Sequence, residues 1–140
     1  MRIIGFNFKK ITAERKKDLK GKLEVKSNMN IEDIEKENID LIGDILKFSF
    51  LYSIIYDPEF AEISFKGSVL LSADNLEDMK TILKEWKKKR VSEDLRLFVY
   101  NFIMSKCNLR ALQLEEEFSL PSHIPLPKLT KQQSQANYTG

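Results

Sequence analysis

The chain has 140 residues, of which 42% are hydrophobic. That is enough for one domain with a real core and too much for an intrinsically disordered chain. Its 23 basic and 21 acidic side chains nearly cancel to a net charge of +2, so bulk charge gives no pull toward nucleic acid or an anionic membrane.

No apolar run approaches the ~18–20 residues that span a bilayer. Met1 to Phe6 is too short for a signal peptide. The single cysteine, Cys107, has no internal partner for a disulfide, which fits a reducing compartment. The expectation is a cytoplasmic protein with no membrane insertion.

Ile4, Phe6 and Phe8 alternate before Lys9 and Lys10, which predicts a first strand over residues 2–12. A charged connector, Arg15 to Gly21, follows. Leu23, Val25, Met29 and Ile31 then alternate with polar residues in a second, half-buried strand. Glu32 to Ile42 is acidic, with Ile34, Ile39 and Leu41 as its only apolar anchors, and reads as loop or short helix.

The clearest signal lies between Asp44 and Ser72. Leu46, Phe48, Phe50, Tyr52, Ile54 and Tyr56 keep a strict period of two. Tyr56-Asp57-Pro58-Glu59 breaks the run, and Ala61, Ile63, Phe65, Val69 and Leu71 resume it. Period two places alternate side chains on opposite faces of a strand, and Asp-Pro suits a turn. This predicts a long antiparallel hairpin.

Asp74, with Glu77 three residues on, reads as a helix start resembling a capping box. Leu76, Met79, Ile82, Leu83 and Trp86 form its apolar stripe. Ser92 opens a second helix with Glu93 and Asp94 in the first turn, where the macrodipole favours acids. Its stripe is Leu95, Phe98, Val99, Phe102, Ile103 and Cys107, continuing through Leu109, Leu112 and Leu114 with a bend near Asn108. Pro121, Pro125 and Pro127 end regular helix. The order β-β-β-β-α-α predicts an α+β fold, a four-stranded antiparallel sheet with two C-terminal helices on one face. Residues 1–129 form one domain, and residues 130–140 are expected to be a disordered tail.

Little in the chain points to chemistry. His123 has no Cys, Asp or Glu at metal-ligand spacing, Cys107 reads as a buried structural thiol, and no Gly-rich phosphate loop occurs. Neither enzyme activity, nor a cofactor, nor a metal is expected. The Lys84–Arg90 cluster around Trp86 has the ingredients of an RNA patch, but Trp86 falls on the apolar stripe and lysines complement a helix C-terminus. Nucleic acid is therefore not the expected partner.

The layout resembles the SecB family of export chaperones. Ile4-Gly5-Phe6-Asn7-Phe8-Lys9-Lys10-Ile11 is similar to the family's first strand, and Phe60-Ala61-Glu62-Ile63 through Gly67-Ser68-Val69-Leu70 to its fourth. Leu97-Phe98-Val99-Tyr100 is similar to the start of its long helix, with Val99 where the family carries proline, and Leu120-Pro121 to Pro127 fills the later Pro-rich place. The resemblance implies a homo-oligomer, a dimer or a tetramer built as a dimer of dimers. It also implies ATP-independent binding of non-native or extended polypeptide in apolar grooves.

Such grooves need apolar side chains beyond those consumed by the core. The candidates for peptide binding or an interface are Ile45, Leu51 and Ile55 on the second face of strand three, Leu70 on strand four, and Phe118, Leu120, Ile124 and Leu126 in the tail. For the strand-three trio an oligomer interface is the first reading and a ligand groove the second. Two other functions stand beside the holdase: an adaptor binding one folded partner through that second sheet face, and a small RNA-associated protein using the Lys84–Arg90 helix end.

Overall fold

The hairpin at the centre of the chain is also the centre of the fold. In the computed structural model, which describes residues 1–18, 21–127 and 129, strand β3 (Gly43–Asp57) turns at Pro58 into β4 (Ala61–Ser72). Leu46, Phe48, Phe50, Tyr52, Ile54 and Tyr56 stand opposite Leu71, Val69, Gly67, Phe65, Ile63 and Ala61. All twelve positions are buried. Each large apolar side chain removed from water in this way contributes about 1.5–3 kcal/mol, so the hairpin's inner face is the main source of stability.

Strand β1 (Arg2–Arg15) pairs antiparallel with β4, and β2 (Glu24–Ile39) with β3, giving the sheet order β1-β4-β3-β2. Helix α1 (Leu76–Lys87) and helix α2 (Glu93–Glu117) cover the inner face. The α+β architecture expected from the residue pattern is the one observed.

Four local expectations differ. Residues 32–39 continue β2 rather than forming a loop or helix, and the chain turns at Leu41 and Gly43, both at positive φ. An irregularity between Ile31 and Asp33 shifts the alternation there, so the period is lost to the eye while the pairing with β3 continues. In β1, register shifts between Ile3 and Gly5 and between Phe8 and Lys10 change the phase. Ile3, not Ile4, therefore joins Phe6 against the core. The N-cap of α1 is Asn75, whose side chain accepts from the Asp78 amide at 2.8 Å, while Asp74 accepts instead from the Met1 ammonium at 2.8 Å.

Helix α2 runs unbroken through Asn108. Its buried stripe is Leu95, Val99, Ile103, Cys107, Ala111 and Leu114, at spacings of four and three. Burial pushes the Cys107 thiol up to about 12, and its side chain has no exposed surface. The folded protein should therefore resist iodoacetamide at a pH of about 8 and react only once unfolded. Rapid alkylation of the native chain, followed by mass spectrometry, would contradict this burial. Residues 130–140, expected to be disordered, lie outside the described residues.

Candidate functional site

Helix α2 is covered on one side only, yet it carries large apolar side chains beyond its buried stripe. Opposite its buried stripe it carries Leu97, Phe98, Met104 and Leu109, with Phe98 43% and Leu109 69% exposed. Phe98, Phe102 and Leu109 recur at helical spacing on one line. Phe102 packs edge-on against Phe6 of β1 with ring centroids 5.8 Å apart. Phe6 in turn meets Phe8 at 5.0 Å, and Phe8 and Ile11 are themselves exposed. Met1 and Phe98 flank a hollow of about 310 Å³ at the start of α2. The result is an aromatic contact that joins β1 to α2, with Phe8, Ile11, Phe98 and Leu109 exposed on the two elements and the Lys106 ammonium 5.5 Å from the Phe102 ring centroid.

The positions expected from sequence are distributed differently. Ile45 is fully buried and Leu120 nearly so, so neither offers contact surface in the protomer. Leu51, Ile55 and Leu70 are half-buried on the outer sheet face, but they do not form an apolar face. Leu51 stands across from Lys66, Ile55 from Glu62 and Leu70 from Lys47, with serines at 49, 53, 64 and 68 between them. The two-sided apolarity inferred for the sheet is thus a scatter of single apolar residues on a polar surface. In the tail, Phe118 and Ile124 are half-buried and Leu126 is exposed; Leu120 and Leu126 line a hollow of about 330 Å³ with Leu112.

The tail is held by a polar cluster that no local sequence pattern marks. Glu115, only 1% exposed, accepts from the His123 backbone amide at 2.8 Å, and the His123 ring Nδ1 lies 2.9 Å from its carboxylate. The Tyr56 hydroxyl sits between that carboxylate and the Pro121 carbonyl oxygen. On the far side of the ring, His123 Nε2 lies 2.8 Å from Asn108 Oδ1, which also accepts from the Tyr52 hydroxyl at 3.1 Å. Burial first, and the Glu115 carboxylate second, raise the Tyr56 phenol above its ordinary value. Arg15 Nη1 adds a bond to the Phe118 carbonyl at 3.0 Å. Three side chains on β3 and α2 thus tie the tail down around one histidine.

At the end of α1, the Trp86 indole N–H donates to Asp33 at 3.2 Å, and the Lys89 ammonium lies 4.5 Å from the ring centroid. The ring is half-buried and already engaged. Among the described residues no group of three His, Cys, Asp or Glu side chains converges as a metal would need. No described helix is long and apolar enough to cross a membrane.

No family model matches the chain, and no curated protein matches it. Among solved structures it is similar to the SecB-like chaperone of Mycobacterium tuberculosis in complex with a ChAD peptide from the HigA1 antitoxin. The two share 13% sequence identity with a TM-score of 0.51, over 93% of this chain and 91% of that one. The fold is SecB-like. At that identity the likeness is one of architecture: four antiparallel strands in one sheet followed by two helices. Within this SecB-like fold, the exposed apolar flank falls on the first strand and the long helix.

Proposed function

We propose that the protein is an ATP-independent holdase of the cytoplasm, which binds non-native or extended polypeptide along the β1–α2 flank and works as a homo-oligomer. The observation that supports this reading is the flank itself, with Phe8, Ile11, Phe98 and Leu109 left uncovered. A single exposed leucine needs no explanation, but several large apolar side chains exposed on an edge strand and the helix beside it do. An extended client is recognised by such a surface together with the free backbone groups of an edge strand, with little regard to its sequence. The neighbour in fold was solved with a peptide bound, which accords with this reading. The remaining apolar side of α2, around Leu97 and Met104, is the surface we assign to contact between copies.

The test is capture of a chemically unfolded polypeptide, followed by light scattering and by suppression of its aggregation. The wild type should take up the unfolded chain and ignore its folded form. Each buried apolar anchor is worth about 1.5–3 kcal/mol, so Phe8→Asp combined with Phe98→Asp should weaken capture at least roughly tenfold. Both positions are exposed, so the variant should remain folded. Undiminished capture by a folded double variant would remove the flank as the binding surface.

A further inference from the structure

The outer face of the sheet, opposite the helix-covered core, has a chemistry of its own. At its centre lies a hollow of about 580 Å³, whose lining includes Asn7, Ser49 and Ser68 together with Lys9, Lys10 and Lys66. In a regular strand Lys9 and Lys10 would point to opposite faces. The irregularity between Phe8 and Lys10 in the β1 register instead lets both lysines line the same hollow, and bulges commonly re-aim side chains in this way at functional positions.

Lys10 also stands directly across from Lys66 on β4. Like charges facing each other across a ladder are destabilising, so this pair works against the fold. Among the described residues, no carboxylate forms an ion pair with Lys9, Lys10 or Lys66. Lys47, at the rim, is already taken by Glu37 at 3.4 Å, and Glu32 is the one carboxylate in the lining. The unneutralised charge sits where hydroxyl and amide groups can also donate.

We infer that this hollow docks an acidic, extended segment of a partner polypeptide. Carboxylates accept from ammonium and hydroxyl groups, and such charge-assisted bonds are the stronger kind. β1 is an outer strand of the sheet, so its free edge offers backbone partners that a peptide can use. A nucleic acid strand fits less well, because it needs exposed aromatic faces for its bases. Phe8 and Phe50 both border the hollow, but Phe50 is buried and the Phe8 ring is engaged with Phe6 and Phe65, on the helix side of the sheet.

The probe is fluorescein-labelled decaglutamate, titrated onto the full chain by anisotropy at about 50 mM salt, with a uridine decanucleotide titrated alongside. Exchanging charge in Lys10→Glu with Lys66→Glu should weaken decaglutamate binding by roughly tenfold or more. The matched exchange Lys87→Glu with Lys88→Glu, on the helix end, should change it less than about twofold. Circular dichroism confirms that both variants are folded. Absence of binding by the wild type, equal losses in the two variants, or tighter binding of the uridine strand would each overturn the proposal. The two readings share the free edge of β1 but rest on different side chains, Lys10 and Lys66 here and Phe8 and Phe98 there. Capture of unfolded chains can fail while decaglutamate binds, and the reverse, so the two results separate.

Discussion

Replacing Glu115 with alanine should lower the melting temperature by about 10 °C and leave the segment after α2 open to protease. Glu115 is almost completely buried and serves three groups at once: the Tyr56 hydroxyl, the His123 ring and the His123 amide. Removing one partner from a buried cluster strands the others without water, and such truncations cost about 3 kcal/mol or more. The loss is not confined to polar bonds. Leu120 and Ile124 flank His123 and are held by the same anchor. Glu115→Gln keeps the shape and part of the bonding, so it should fall between wild type and alanine. Thermal denaturation with limited proteolysis distinguishes these cases. A Glu115→Ala protein that melts within about 2 °C of wild type would mean that the cluster contributes little.

Gly67→Ala should be nearly as damaging, for a steric reason. A Cβ at residue 67 would lie 2.2 Å from the Asn7 carbonyl oxygen and 3.0 Å from the Phe50 ring. The first of these is backbone and cannot rotate away, so β1 must retreat from β4. Overpacking of this kind costs about 1–3 kcal/mol, sometimes more. Gly5 provides the control, since a Cβ there meets only the end of Leu70 at 3.1 Å. That side chain can yield, and Gly5→Ala should stay within about 0.5 kcal/mol of wild type. Urea titration of the two variants checks the contrast. Equal stabilities would show that β1 tolerates the displacement.

How much of this molecule could be read from its residues depended on whether a rule of period survived. β3 and β4 kept the period of two without a break, so their inner faces were legible one residue at a time. β1 and β2 were legible as strands but not in phase, because one extra residue at a bulge moves every later side chain to the other face. That is why Ile4 was expected where Ile3 packs, and why residues 32–39 did not look like a strand. The long helix was recognisable, but its stripe was drawn too wide: Phe98 and Leu109 were counted with the core and are instead exposed. The wider stripe hides the side chains of the flank proposed above for client binding. Nothing in the run Glu115-Glu116-Glu117 distinguishes its first member, which is buried against Tyr56 and His123, from the two exposed acids that follow. No local pattern announces a contact that joins β3, α2 and the tail.

The strand order β1-β4-β3-β2 also sets a schedule for the chain as it is made. β2 can close onto β3, and β3 onto β4, as each leaves the ribosome, because these neighbours are consecutive. β1 is made before the other three strands and pairs last, since its partner is β4. At ordinary synthesis rates the interval is about 3–12 s. Through that time a strand bearing Ile3, Phe6, Phe8 and Ile11 has no partner in its sheet, so β1 itself is for a while an unpaired apolar segment of the kind the finished flank is proposed to hold.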